Sequence, residues 1–142
     1  MHKVKNVLVT GGLGSIGLYI CEFFIKKNHN LIIVDNLPKK YFSKRLSDHF
    51  IINRKNIILY KKIDLKKTSQ IKSLFQRLKK KFSSIDILIN CAGIQHISSV
   101  ENFSEKMWEE VISINLSSSF YTSKYTLPLM KKNKWGRIIN IA

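Results

Sequence analysis

Val7-Leu8-Val9-Thr10-Gly11-Gly12-Leu13-Gly14-Ser15-Ile16-Gly17 is the stretch that decides the fold. Its three leading apolar residues have the character of a strand covered on both faces. A glycine-rich turn comes next, and beyond it Ile16, Tyr19, Ile20, Phe23 and Phe24 recur at helical spacing, so the segment reads as a strand, a turn and a helix. Gly12, Gly14 and Gly17 spell G-x-G-x-x-G, while Thr10, Gly11, Gly14 and Gly17 fit T-G-x-x-G-x-x-G. Between a strand and a helix, such glycines let the backbone approach a pyrophosphate, whose charge is met by the N–H groups of the helix N-terminus.

Outward from this unit, Leu31 to Val34 forms a second apolar strand that ends on Asp35. A carboxylate at that point can accept hydrogen bonds from the ribose hydroxyls of a dinucleotide and repels a 2′-phosphate, which favours NAD over NADP. The alternative is a plain turn residue before Asn36 and Pro38. Lys39 and Lys40, just past the acid, could reach a 2′-phosphate in a looser pocket.

A weak helical stretch lies around Phe42 to Phe50, then a third strand at Ile57 to Tyr60. Ile71, Leu74, Phe75, Leu78 and Phe82 place one apolar face on a helix from Thr68 to Phe82. Ile85 to Ile89 is a fourth strand, Ser104 to Tyr125 a long helix with Glu105 near its start, and Arg137 to Ile141 a fifth strand. Strands alternating with helices predict an α/β fold: a Rossmann-type doubly wound parallel sheet, covered on both faces, in one domain over residues 1–142.

Composition agrees with one folded domain, 44% of the residues being hydrophobic. Cys21 and Cys91 have no metal-ligand spacing and read as reduced thiols, which with the early interruption of the first apolar run by Gly11 and Gly12 predicts a cytoplasmic protein and no membrane partner. A net charge of +16 raises the question of a polyanionic partner. The lysines fall in short clusters, Lys39-Lys40, Lys79 to Lys81 and Lys131-Lys132-Lys134, at expected helix ends and in loops without aromatic interleaving; this reads as a solvated surface, and nucleic acid is not the expected partner.

The glycine turn, Asn90-Cys91-Ala92-Gly93 after the fourth strand, and Asn115 in the long helix together resemble the short-chain dehydrogenase/reductase family. Ser15 stands where that family's usual string has its middle glycine, and the spacing of Gly11, Gly14 and Gly17 is also that of the sugar-nucleotide epimerase branch. Asn90 to His96 and Trp135 to Ala142 are similar to the compact branch, above all to the bacterial D-3-hydroxybutyrate dehydrogenases, N-terminal part only.

The resemblance implies an oxidoreductase that transfers hydride between NAD and a small hydroxy acid, alcohol or ketone. It implies that Thr10, Gly11, Gly14, Ser15, Ile16, Gly17 and Asp35 hold the cofactor, and that Asp64 and Leu65 sit against the adenine. Asn90, Ala92 and Gly93 would line the ribose, Cys91 replacing the commoner second asparagine. Gln95 would contact a substrate carboxylate; the alternative is a solvated loop glutamine. Asn115 shares a helix face with Trp108, Val111 and Ile112, so its amide is expected to point into the core. There it would hold a water of a proton relay or be satisfied by neighbouring backbone. His96, without a partner carboxylate, is assigned no chemistry.

By the same resemblance the catalytic serine would come after Ala142, with the tyrosine and lysine further on, and Tyr121 to Tyr125 is not the Y-x-x-x-K pair because it precedes the fifth strand. The expectation is a fold truncated after the fifth strand, lacking turnover and poorly soluble along its bare edge. A non-catalytic NAD-binding module paired with a full-length relative, or a homo-oligomer, is the alternative form.

Overall fold

The computed structural model describes residues 3–49 and 57–142; Phe50, the end of the expected weak helix, lies outside the described residues. The elements run in the order β1 (Asn6–Thr10), α1 (Ser15–Lys26), β2 (Asn30–Asp35), α2 (Lys39–His49), β3 (Ile58–Lys62), α3 (Thr68–Lys81), β4 (Ile87–Asn90), α4 (Glu105–Ile112), α5 (Ser118–Lys132) and β5 (Arg137–Asn140). All pairings are parallel and the strand order is β3-β2-β1-β4-β5. The order reverses at β1, so the crevice beyond its C-terminal end is a topological switch point.

Alternation along β1 sorts the core into two layers. Leu8, with Ile32 and Val34 of β2, faces Ile71, Leu74, Phe75 and Leu78 of α3 and Leu129 and Met130 of α5. Val7 and Val9, with Leu31 and Ile33, face Leu13 and α1 through Cys21 and Ile25. Burying a side chain of this size stabilises by roughly 1.5–3 kcal/mol. The two layers therefore fix which way each strand end presents its side chains.

The buried face of α1 differs from the one its apolar spacing suggests. Gly17, Cys21 and Ile25 are buried, at i, i+4 and i+8, whereas Ile16, Tyr19 and Phe23 are exposed. The helix has more apolar residues than one face can hide, and the small Gly17 and Cys21 win the contact with the sheet because they allow close approach.

The expected long helix is continuous but not uniform. Between α4 and α5, Ser113–Ser117 forms a π-helical turn, and α5 runs on through Pro128 to Lys132 because Leu129 and Met130 are buried beyond it. The extra residue of a π turn rotates the helix on its C-terminal side. Trp108 is exposed and Asn115 faces solvent, not the core as its spacing with Val111 and Ile112 implied. Coverage of the sheet on both faces holds for β1, β2 and β4, but Ile139 of β5 is 45% exposed while Ile138 packs against the α3 and α5 layer.

Candidate functional site

Register aligns the C-terminal strand ends in one row, pairing Thr10 with Val34 and Asn90, Asp35 with Lys62, and Asn90 with Asn140. Two cavities open along this row. One, of about 400 Å³, is lined by Gly11, Leu13, Gly14, Asp35, Arg45, Asp64, Leu65, Ala92 and Gly93 among others. The second, of about 720 Å³, shares Gly11, Gly14, Ala92 and Gly93 and adds Ser15, Ile16, Gly17, Asn115, Ser119 and Asn140. Both lie in the size range of small-molecule sites.

The glycine turn between the cavities is held by contacts that only glycine permits. Gly11 has φ +64°, and a Cβ there would lie 2.6 Å from Ala92 Cα. A Cβ on Gly17 would lie 2.1 Å from the Gly11 carbonyl oxygen. Strand end, turn and helix are thus in backbone contact. Gly14 caps α1 without any side-chain hydrogen bond, and the first turn contains no acidic residue. Its N–H donors open on the second cavity with the positive end of the helix dipole behind them, a setting made for an anion.

Thr10 is 1% exposed, and its Oγ1 accepts hydrogen bonds from the N–H groups of Cys91 (3.1 Å) and Ala92 (3.2 Å). It lines neither cavity; it ties the segment after β4 to the end of β1. Asn90 is turned inward as well. It donates to Asn140 Oδ1 at 2.8 Å and accepts from the Thr122 hydroxyl at 2.7 Å, joining β4, β5 and α5 and leaving Ala92 and Gly93 to line the cavities.

Asp35 is 8% exposed, and its two carboxylate oxygens accept from the backbone N–H groups of Leu13 (3.0 Å) and Leu37 (3.2 Å). The carboxylate shapes the glycine turn and the start of the next loop as well as facing the cavity. Arg45 of α2 donates to the carbonyl of the same Leu13, so the tip of the turn is gripped at both its N–H and its C=O. The Arg45 guanidinium lines the cavity beside Asp35, a residue missed in the sequence because nothing in a weak helix shows which way it faces. Tyr60 donates its hydroxyl to the Leu37 carbonyl and stacks on Phe42 at 4.9 Å. Burial, and then the Asp35 charge, push its phenol pKa up to about 12.

On the far side of the first cavity, Asp64 Oδ1 accepts from Lys66 N–H at 3.0 Å, and Leu65 is 8% exposed. Lys66 pairs with Glu110 of α4 at 3.2 Å, bridging two residues of the cavity wall. Asn115 sits in the π turn, where Oδ1 accepts from Ile94 N–H and Nδ2 donates to Ile94 C=O, both at 2.9 Å. Its amide is thereby satisfied by neighbouring backbone, and it lines the second cavity from the rim. Gln95 is exposed and lines neither cavity. His96 packs edge-on against Phe103, at 5.0 Å between ring centroids.

Cys21 is buried, its Sγ donating to the Gly12 carbonyl at 3.7 Å, and desolvation holds its thiol far above the usual range. Cys91 lines both cavities, and partial burial raises its pKa as well. Among the described residues no cluster of His, Cys, Asp or Glu could hold a metal ion, and no helix is long and apolar enough to cross a membrane.

A glycine turn gripped by Asp35, an uncapped helix N-terminus and paired cavities at a switch point mark a Rossmann-like α/β fold. The family profile described as short chain dehydrogenase matches residues 5–142, and the chain belongs to that family of oxidoreductases, whose members generally bind NAD or NADP. It is similar to the D-beta-hydroxybutyrate dehydrogenase of Rhizobium meliloti, 34% identical over 138 residues, covering 97% of this chain and 53% of the relative. The D-beta-hydroxybutyrate dehydrogenase of Cupriavidus necator is 36% identical over 142 residues, covering 100% and 54%. A bulky-bulky ketone specific alcohol dehydrogenase from Comamonas testosteroni shares the fold, with a TM-score of 0.86 at 23% identity, covering 99% of this chain and 55% of that one. The chain spans about half the length of the curated relatives it matches.

Proposed function

We propose that these residues form the cofactor half of an oxidoreductase acting between NAD and a small hydroxy acid of the 3-hydroxybutyrate type. The observation that carries the reading is the uncapped first turn of α1, opening into a cavity whose floor is the contact between Gly11 and Ala92. That floor leaves no room for a side chain, as a closely approaching ligand requires. In this reading Ser15, Ile16 and Gly17 meet the pyrophosphate, Asp35 the adenosine ribose, and Asp64 with Leu65 the adenine.

When bound, the nicotinamide dinucleotide supplies the hydride acceptor or donor. The chain's own part is to orient it. Thr10 and Asn90 fix the Ala92-Gly93 wall from behind, and Asn115 holds the Ile94 backbone that leads to Gln95, the residue offered to a substrate carboxylate. The likeness to D-beta-hydroxybutyrate dehydrogenases supports that substrate class.

A second reading, a cofactor-holding partner without turnover, uses the same site; Tyr121 packs against the α3 and α5 layer and Lys124 lies over the Phe120 ring, and neither lines the cavities, so the two readings differ only in whether turnover occurs. Fluorescence titration with NADH, beside Asp35→Asn and an assay for 3-hydroxybutyrate oxidation, tests both. Saturable binding weakened about tenfold or more in the variant, the loss of a charged hydrogen bond, supports the cofactor site. Turnover then separates enzyme from partner, and absence of NADH binding refutes both.

A further inference from the structure

We infer that the end of the sheet opposite the cavities is a docking surface for the phosphate backbone of nucleic acid. In sequence the lysine clusters are far apart. In a parallel sheet with crossover helices, however, every helix runs against the strands, so all helix C-termini collect at the strands' N-terminal end. Lys26 and Lys27 close α1, Lys79 to Lys81 close α3, and Lys131 and Lys132 close α5 with Lys134 just beyond.

Hydrogen bonds tie these ends into one face. Lys5 N–H donates to His29 Nδ1 at 3.1 Å, linking the entry to β1 with the loop after α1. Asn6 Nδ2 donates to the Ser84 carbonyl at 2.9 Å, linking β1 to the loop after α3. Asn133 Nδ2 donates to Asp86 Oδ1 at 3.0 Å, and Arg137 N–H to the Asp86 carbonyl at 3.0 Å, adding the end of α5 and the start of β5.

The face is nearly free of opposing charge. Its carboxylates are Asp86, 4% exposed and enclosed by its hydrogen-bond donors, Glu22, paired with Lys26 at 2.6 Å, and Asp48 in the last turn of α2. Asp35, Asp64, Glu101, Glu105, Glu109 and Glu110 are on segments that leave the other end of the strands. The lysines at the helix C-termini therefore face few carboxylates, whereas those at the cavity end share it with six.

Two features favour phosphate over a lipid surface. Binding in a bilayer interface needs an apolar face to insert, but the exposed aromatics at this end carry cations: Trp135 has Lys5 Nζ 3.8 Å from its ring centroid and Arg137 Cζ at 5.4 Å, and Phe23 has Lys27 Nζ at 6.0 Å. These rings serve as mounts for cations. The lysine clusters also stand on packed helices, α3 against α5, whose axes lie roughly 8–10 Å apart. With one charge per about 1.7 Å of duplex axis, such a pair of clusters meets several phosphates together. Among the described residues no helix projects from this end to read bases, so the contact is independent of sequence.

The test is fluorescence anisotropy of a labelled 20-base-pair duplex with the purified protein across 50–200 mM salt. Two triple variants of equal net charge are compared: K131Q/K132Q/K134Q on the face, and K39Q/K40Q/K67Q at the cavity end. The expected dissociation constant is roughly 10⁻⁴–10⁻⁶ M near physiological salt. The face variant is expected to bind tenfold or more weakly, with a log–log salt slope shallower by about 2–3, while the cavity-end variant stays within twofold of the parent. Equal weakening in both variants, no binding at 50 mM salt, or tighter binding to phosphatidylserine vesicles than to duplex at matched charge concentration overturns the inference. Circular dichroism of the variants, all at exposed positions, checks that the fold is kept.

Discussion

Thr10→Val tests the claim that the cavity wall is hung from the end of β1. The two side chains are nearly the same shape, so packing changes little, but the hydroxyl oxygen that accepts from Cys91 and Ala92 N–H at 3.1 and 3.2 Å is lost. Thr10 is 1% exposed, so no bulk water replaces it. Each unsatisfied buried donor costs about 1–3 kcal/mol. Some relaxation of Ala92 toward its cavity brings the pair to about 2–4 kcal/mol, a drop of roughly 1–2 M in the urea midpoint for a domain of this size. Thr10→Ser keeps the acceptor and is expected to lose under 1 kcal/mol, within the range for deleting one methyl group. The assay is urea denaturation monitored by tryptophan fluorescence and circular dichroism, with NADH affinity measured in parallel. If Thr10→Val unfolds within 0.3 M of the parent while Thr10→Ser does not exceed it, the hydroxyl is not the tie and the wall is held by packing alone.

The same geometry sets three other outcomes. Arg45→Gln removes the cation beside Asp35 and is expected to weaken NADPH binding at least fivefold more than NADH binding; an equal loss for both would make Arg45 a clamp on Leu13 only. Toward Ellman's reagent, Cys21 is expected to stay silent in the folded protein, while Cys91 reacts more slowly than a free thiol, accelerates as the pH rises toward its raised pKa, and is shielded by NADH. Two thiols reacting at once at the free rate would contradict the burial of Cys21. The Tyr60 phenol, raised to about 12, contributes stability that is fully present below the unfolded value near 10 and lost as the pH climbs through about 12. A 295 nm titration should show one late phenolate step that is missing in Tyr60→Phe, and the variant should lose less stability over that pH window.

The alternation of strands and helices was legible because it rests on local rules. The Val7 to Val9 run, the glycines and Asp35 specify a strand-turn-helix and the next strand end without any knowledge of distant contacts. The features that could not be read were directions set by tertiary competition. Ile16, Tyr19 and Phe23 have the right spacing for a core face, but Gly17, Cys21 and Ile25 hold the sheet contact. Asn115 has the spacing of a core-facing residue, yet a π turn, whose insertion leaves no mark in residue type, rotates it to the Ile94 backbone. Asn90 and Thr10 read as cofactor contacts and lie one layer behind the cavity surface, because a strand-end side chain faces its neighbours as readily as a crevice. The spatial gathering of the lysines was hidden for the opposite reason: helix ends that are distant in sequence become adjacent only through the topology.

The position of β1 at the centre of the sheet has a consequence for biosynthesis. Its β2 edge is matched early, since Val7 pairs with Leu31, but its other edge waits for Val7 to meet Ile87. At roughly 5–20 residues per second, the ribosome takes about 4–15 s to deliver β4 after β1. Through that interval Val7 to Thr10 presents an open, apolar row of N–H and C=O groups, the template on which chains aggregate. A nascent chain stalled before Ile87 is therefore the species most in need of a chaperone, and synonymous codon changes that slow residues 36–86 should lower soluble yield more than the same delay placed after Asn90.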